Sequence, residues 1–116
     1  MAITLQAIPV QDGAPAWRQR TPLDGTDYLL DFFWNERALA WYFSLYTVDG
    51  EPLLLSKKLV CGVPLLARKR WDARVPPGEM MVVDWSETID VPQLEDLGTR
   101  AILYYMDQAA IAEIRA

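Results

Sequence analysis

Few side chains of this sequence could carry covalent or metal chemistry. The 116 residues contain no histidine, which removes imidazole acid–base chemistry and the commonest metal ligand. Cys61 is the single cysteine, so the chain can form neither an internal disulfide nor a cysteine-rich zinc site. The three serines, Ser44, Ser56 and Ser86, have no histidine to activate them as nucleophiles. We therefore expect a protein that is not an enzyme and that holds no metal and no cofactor.

Two weaker chemical possibilities concern carboxylates and the thiol. Six acidic residues lie between positions 79 and 96, and Glu87 and Asp90 could form a carboxylate pair or a calcium site. Their spacing matches no EF-hand loop, so we favour an ordinary acidic surface loop. Lys57 and Lys58 lie near Cys61 in sequence and could favour a reactive thiolate. A small buried apolar side chain is the stronger interpretation of Cys61.

A basic cluster interrupts an acidic chain. The net charge is −5, yet residues 57–74 contain six basic residues and one acid, so the remaining 98 residues carry −10. Arginines can pair with a partner's carboxylates while a tryptophan fills a pocket beside them, and we therefore predict a protein interface here. Its predicted members are Lys57, Lys58, Arg68, Arg70, Trp71 and Arg74. A solvated basic loop that contacts nothing is an equal alternative.

Five tryptophans leave two other functions open. Exposed indoles could stack on sugar rings, which would make the chain a small carbohydrate- or ligand-binding β module. Trp71, inside the basic cluster, could also stack on the bases of a single-stranded nucleic acid. The negative net charge argues against general nucleic-acid binding. Trp34 and Trp41 are better explained as core residues, because they fall on the apolar faces of predicted strands.

The elements that position these residues are predicted to be strands. The hairpin-forming dipeptide Asp-Gly occurs at positions 12–13, 24–25 and 49–50. The β-branched and aromatic runs around these dipeptides predict strands over residues 3–10, 17–23, 26–34 and 40–48. Period-two alternation gives the central two strands a shared core face, which comprises Tyr28, Leu30, Phe32, Trp34, Trp41, Phe43 and Leu45.

The opposite faces of the two central strands are also rich in apolar residues. We expect Asp31 and Ser44 to lie in solvent there. The same faces carry four large apolar or aromatic side chains, Leu29, Phe33, Tyr42 and Tyr46. Such a surface is either covered by the rest of the chain or used as an interface, and closure into a barrel or sandwich is the simplest explanation.

The rest of the chain predicts one all-β domain. Residues 53–60 indicate an edge strand or two short strands, residues 65–71 a strand or a helical turn, and residues 80–85 and 100–106 strands. Asp90 and Gly98 bound a short helical turn over residues 92–97. We predict a small antiparallel β-barrel or sandwich-like domain over residues 1–106, with that turn near its C-terminal strand. Residues 107–116 form a C-terminal extension, a possible short helix.

Targeting signals and membrane spans are not expected. No stretch approaches the 18 apolar residues of a transmembrane helix, and the N-terminus has no basic start. We therefore expect synthesis in the cytoplasm and no association with membranes.

Several segments together resemble the baseplate plug family of contractile-tailed bacteriophages, of the cyanophage type. In chain order they are FWNER at 33–37, WY at 41–42, DG at 49–50, LLAR at 65–68, a strand at 80–84 and DLG at 96–98. The resemblance covers residues 3–106 and leaves residues 107–116 unmatched. It implies a small β domain at the centre of the baseplate that closes the end of the tail tube without catalysis. It also implies contacts with the hub, the spike and the end of the tape-measure protein. It further implies a place in the virion, in several copies on the tail axis, with three as the expected number.

The motif residues of this resemblance are Trp34, Asn35, Trp41, Tyr42 and Gly98. We interpret Trp34 and Trp41 as packing residues that fix a hairpin. Asn35 suits the hairpin loop, because its side chain can bond to the backbone of its own turn. The motif therefore indicates the fold more than a binding site.

Overall fold

A computed structural model of the protein describes residues 5–10, 14–69, 71–86, 88 and 90–107. The described chain forms seven antiparallel strands and one short 3-10 helix, Ala67–Lys69. The strands are β1 (Leu5–Ala7), β2 (Ala16–Leu23), β3 (Thr26–Asn35), β4 (Ala40–Thr47), β5 (Pro52–Lys58), β6 (Glu79–Asp84) and β7 (Ala101–Met106). They make a four-stranded sheet in the order β2-β3-β4-β5 and a three-stranded sheet in the order β1-β7-β6. The all-β, sandwich-like prediction is confirmed.

The two Asp-Gly turns within the described residues connect strands as predicted. Leu23 pairs with Thr26 across Asp24 and Gly25, whose φ angles of 52° and 79° fit a type I′ hairpin turn. The turn at Asp49 and Gly50 joins β4 to β5, and the amide of Thr47 donates to the carbonyl of Glu51 over 2.9 Å. The third dipeptide, at residues 12–13, lies outside the described residues.

Strand β5 is an edge strand, one of the two possibilities predicted for residues 53–60. Its pairing with β4 shifts register, and Ser56 adopts a φ of 51° at the irregularity. The amide of Ser56 donates to the hydroxyl of Ser44 over 2.9 Å, and Ser44 is buried. Our expectation that Ser44 lies in solvent is therefore wrong, because the bulge in β5 places a backbone donor over it.

The three-stranded sheet has β7 at its centre. The chain after β5 runs along the free edge of β6, where Gly62 donates to the carbonyl of Val82 and Leu65 donates to that of Met80, over 2.8 and 2.9 Å. These bonds cover an edge that would otherwise expose unpaired backbone groups. They also hold the chain between residues 61 and 65 in place, immediately before the 3-10 helix.

The core lies between the inner faces of both sheets. The predicted core face of β3 and β4 is confirmed: Tyr28, Leu30, Phe32, Trp41, Phe43 and Leu45 are buried, and Trp34 packs against the core while half-buried. The second sheet adds Met80, Val82, Leu103 and Tyr105 to the same hydrophobic cluster. Burial of this single cluster supplies the main stabilising free energy of such a domain.

The chain between β6 and β7 is organised by Asp96. The helical turn expected over residues 92–97 takes the form of a hydrogen-bonded turn, in which the amide of Asp96 donates to the carbonyl of Gln93 over 3.0 Å. The Asp96 carboxylate accepts from the amide of Gln93 over 2.9 Å, and its carbonyl accepts from the amides of Thr99, Arg100 and Ala101. Within the part of the chain that the structure describes, no helix has the length and apolarity needed to cross a membrane. The possible helix within residues 107–116 falls almost wholly outside that part.

Candidate interaction surface

The segment that carries the basic cluster leaves the edge strand β5 and returns to the body of the protein through buried leucines. Leu65 and Leu66 are both buried in the core. The amide of Leu66 donates to the carboxylate of Glu79 over 2.7 Å, and the amide of Lys69 donates to the carbonyl of Leu66 over 3.0 Å. These anchors fix the 3-10 helix beside β5, so the position of Lys69 is set by core packing.

Lys57 and Lys69 line one groove between β5 and the returning chain. Its remaining lining residues are apolar: Leu54, Val63, Pro64, Leu65 and Ala67. We call this surface the lysine groove. The structure therefore brings together two of the basic residues of the segment, over an apolar floor that sequence reasoning did not predict. The sequence does show an apolar run at residues 63–67, but no neighbouring residue in the sequence indicates that this run faces β5.

Trp71 lies beside the lysine groove and is strongly exposed. Its relative exposure of 77% is the highest among the large hydrophobic side chains described. The ammonium of Lys69 lies 5.7 Å from the centre of the indole ring, within cation–π range. Tryptophan is one of the residue types that dominate the binding energy of protein interfaces.

Arg74 is half-exposed and forms ion pairs with two carboxylates of the same chain. Its guanidinium makes two hydrogen bonds to the Asp72 carboxylate, of 3.1 and 2.9 Å, and a third of 3.1 Å to Glu51. The guanidinium lowers the pKa of Asp72, and the Asp72 carboxylate in turn raises the pKa of Arg74. The carbonyl of Arg74 accepts from the phenol of Tyr28 over 3.0 Å. Arg74 thus ties the end of the basic segment to the first sheet.

The remaining predicted interface residues are separated from the groove or only partly described. Lys58 is opposite Tyr42, whereas Lys57 is opposite Phe43, so the two lysines point to opposite faces of β5. Arg68 lies in the 3-10 helix, but its side chain is outside the described part of the structure, and Arg70 is outside it altogether.

The motif residues occupy structural positions. Trp34 and Trp41 are cross-strand partners whose ring centres lie 5.8 Å apart in an edge-to-face arrangement. Asn35 accepts hydrogen bonds from the amides of Arg37 and Ala38, each of 3.0 Å, which is the predicted loop role. Tyr42 stacks on Phe33 at 5.5 Å on the outer face. Gly98 has a φ of 89°, and its amide donates to the carbonyl of Ala101 over 2.7 Å.

The outer face of the four-stranded sheet carries the predicted apolar surface. Leu29, Phe33, Tyr42 and Tyr46 are all half-buried, so they are packed against one another but keep contact with solvent. Arg18 spans this face, because it forms an ion pair with Asp31 at 2.6 Å and lies 5.1 Å from the centre of the Tyr46 ring. Cross-strand packing and the arginine stem cover part of the face, and the second sheet packs on the other side.

The thiol and the acidic segment have structural explanations. Burial raises the pKa of Cys61, and the carboxylates of Asp84, Asp90 and Asp96 raise it further, which disfavours a thiolate. The buried carboxylate of Asp84 accepts from the backbone and hydroxyl groups of Ser86 and Thr88. Glu87 lies outside the described residues. Among the residues described, no three metal-ligating side chains lie close enough together to hold an ion.

The tryptophans divide into core and surface groups. Trp41 is buried, and Trp17 and Trp34 are half-buried against the same cluster. Trp85 is exposed, and its indole donates to the Tyr104 hydroxyl over 2.8 Å. Of the two exposed indoles, only Trp71 belongs to the predicted interface.

A comparison with known families gives one match, and it covers most of the chain. The family model described as "Cyanophage baseplate Pam3 plug gp18" matches residues 5–108. No curated protein matches the chain significantly. The matched range includes all seven strands, the lysine groove and the five motif residues.

Proposed function

Because the chain belongs to the cyanophage baseplate plug family, we propose that it closes the distal end of a phage tail tube by contacts with other baseplate proteins. Membership of this family makes it a structural component of the virion's tail baseplate. The observation that carries the proposal is the family match over residues 5–108, which spans the whole two-sheet domain.

A role without catalysis is part of the proposal. The sequence contains no histidine and one cysteine, and burial and nearby carboxylates disfavour the thiolate of that cysteine. The carboxylates of Asp84 and Asp96 accept hydrogen bonds from backbone amides of neighbouring turns, which gives them a structural role. These features support a protein that acts through its surface.

The proposed partners follow from the resemblance and from the charge distribution. We place the protein on the tail axis, against the hub, the spike and the end of the tape-measure protein, in several copies, with three as the expected number. We propose that residues 57–74 supply one side of its main interface, with Lys57, Lys69 and Trp71 as the contact residues that the structure brings together. We further propose that residues 1–106 form a single β domain and that residues 107–116, after β7 ends at Met106, are a C-terminal extension.

Electron cryomicroscopy of intact tails tests this location. We expect density for a two-sheet domain on the tail axis, at the point where the tube meets the baseplate. Density for this domain on the outer wall of the tail, or in six peripheral copies, would overturn the proposed plugging role. Particles assembled without the protein serve as the control, and they should lack the axial density.

A further inference from the structure

The lysine groove carries positive charge that the described part of the chain neutralises only in part, since the charge of Lys69 acts on the nearby Asp72 carboxylate. Arg74 is paired with Asp72 and Glu51, but no ion pair of Lys57 or Lys69 occurs among the described residues. Lys57 and Lys69 line a groove whose other lining residues are apolar. Surface lysines usually extend into water, so a pair that flanks an apolar floor leaves both charge and apolar surface available to a ligand.

We propose that the lysine groove binds an acidic segment of another baseplate protein, with carboxylates on Lys57 and Lys69 and an apolar side chain on the floor between them. This inference rests on the proposed function and names the chemistry of its partner. The exposed apolar residues of the groove, Val63, Pro64 and Ala67, supply surface that the segment would bury, and the two lysines fix its position. Trp71, beside Lys69, closes one end of the contact.

The proposed function favours a different chain over a second copy of this one, because a plug at the tube end meets the other baseplate proteins. Four carboxylates of the described surface, Asp27, Asp31, Glu51 and Asp72, are already paired within the molecule. Asp49 and Glu95 are exposed and form no ion pair among the described residues, so a contact between copies is an outcome that the cross-linking experiment distinguishes. Nucleic acid is disfavoured for another reason, because the groove offers only two lysines to a backbone of phosphates, whereas its five other lining residues are apolar.

A purely protective role for Lys57 is the competing explanation. Lysines on edge strands prevent unwanted strand pairing, and β5 is an edge strand with a bulge. That role would require Lys57 to remain in solvent in the assembled particle. It would also assign no function to Lys69, which is not on a strand. The two explanations therefore predict different lysine reactivity in the virion.

Lysine acetylation of the purified protein and of intact particles, read by mass spectrometry, tests the proposal. We expect the reactivity of Lys57 and Lys69 to fall about tenfold or more in particles, as burial of an ion pair requires. Lys58 is the internal control, because it is adjacent in sequence but points to the opposite face of β5. Equal reactivity of Lys57 and Lys69 in both samples would overturn the proposal, and so would equal protection of all three lysines.

Carbodiimide cross-linking of the same particles identifies the chemistry of the partner, because it joins amines only to carboxylates in contact. We expect Lys57 or Lys69 to be linked to an aspartate or glutamate of another baseplate chain. Links only to a second copy of this chain, protection without any carboxylate link, or protection that is lost in DNA-free tails would each overturn the proposed partner. Absence of the protein from purified tails would instead contradict the proposed function.

Charge reversal provides the matched genetic test. A Lys57→Glu/Lys69→Glu double variant should be incorporated about tenfold less than the wild type, since like charges would then face each other across the contact. Lys58→Glu should be incorporated within about twofold of the wild type. Both proteins should show a wild-type circular dichroism spectrum and melting profile before the particles are compared. Normal incorporation of the folded double variant would overturn the assignment.

Discussion

The phenol of Tyr105 donates a hydrogen bond to the carboxylate of Asp24, across 81 positions of sequence. Tyr105 belongs to β7 at the centre of the three-stranded sheet, and Asp24 belongs to the hairpin turn between β2 and β3 of the other sheet. The same hydroxyl accepts the buried amide of Gly78 over 2.8 Å. One fully buried side chain therefore connects both sheets and the start of β6.

Replacement of Tyr105 by phenylalanine should destabilise the fold while keeping its shape. The variant retains the buried ring but leaves the Gly78 amide without its acceptor, which costs about 1–3 kcal/mol. Urea denaturation followed by tryptophan fluorescence measures the difference in unfolding free energy. A variant as stable as the wild type would mean that the hydrogen bond is replaced by water or is worth nothing in solution.

The stabilising effect of the Tyr105 hydroxyl should depend on pH. Burial, and then the hydrogen bond to Asp24, raise the pKa of Tyr105 above its usual value of 10.0. Below that value the neutral phenol is present in both folded and unfolded chains, so its contribution is complete. The contribution is lost as the pH rises from 10 through the folded pKa, because the unfolded chain releases the proton first.

Paired denaturation curves of the wild type and Tyr105→Phe, from about pH 8 to about pH 11, measure this dependence. We expect the stability difference between the two proteins to shrink above about pH 10. Burial also raises the pKa of Tyr28, but both proteins contain that residue, so its effect cancels in the difference. A difference that stays constant across the range would contradict the expected shift.

Gly98 should tolerate a side chain less well than Gly50 does. Both glycines adopt positive φ angles, 89° and 91°, so alanine at either position incurs the same backbone penalty of about 1–2 kcal/mol. At Gly98 an added Cβ would also lie 2.2 Å from a methyl carbon of Val10, whereas at Gly50 it would meet nothing within 4 Å. Gly98→Ala should therefore destabilise the domain more than Gly50→Ala.

A double variant tests the origin of the Gly98 effect. Val10→Ala removes the methyl group that the new Cβ would meet, so it should restore part of the stability lost in Gly98→Ala. Thermal denaturation of the two single variants and the double variant gives the coupling free energy. If Gly98→Ala and Gly50→Ala destabilise equally, the close approach of Val10 has no energetic consequence.

The strands and core faces of this fold could be predicted because their signals are local. Alternation in β3 and β4 identifies the buried residues from Tyr28 to Leu45, and Asp24-Gly25 identifies the hairpin turn. The groove could not be predicted in the same way. Its walls come from β5 and from a segment that returns along β6, and only the long-range hydrogen bonds of Gly62 and Leu65 place them side by side.

Arg74 illustrates why the sequence alone does not reveal which carboxylates pair with a basic side chain. The sequence predicts five basic residues at the interface, and folding brings Glu51 of the β4–β5 turn to one of them, Arg74. Asp72 adds a second carboxylate from two positions away, which local spacing could have indicated. The burial of Ser44 has a similar origin, since it depends on the bulge in the neighbouring strand.

The motif tryptophans should differ in their contribution to stability. Trp41 is 2% exposed and contacts both Trp17 and Trp34, so Trp41→Ala should cost about 3–5 kcal/mol. Trp34 is half-buried, and we expect a smaller loss for Trp34→Ala. Trp71→Ala is the exposed control and should remain within about 0.5 kcal/mol of the wild type. Urea denaturation followed by circular dichroism avoids the change in fluorescence that each substitution causes.

Trp71 should matter for assembly rather than for folding. Its side chain is 77% exposed and contacts Lys69, so its removal leaves the core intact but takes away the largest apolar surface beside the lysine groove. Trp85→Ala is the matched control, because Trp85 is 65% exposed and lies on the turn after β6. We expect Trp71→Ala to lower incorporation into particles severalfold, as loss of an interface tryptophan does, and Trp85→Ala to leave it unchanged.

The Arg68→Ala/Arg70→Ala/Trp71→Ala variant extends the test to the predicted arginines, and its incorporation should fall further. Wild-type incorporation of that folded triple variant would show that residues 68–71 do not contribute to the interface.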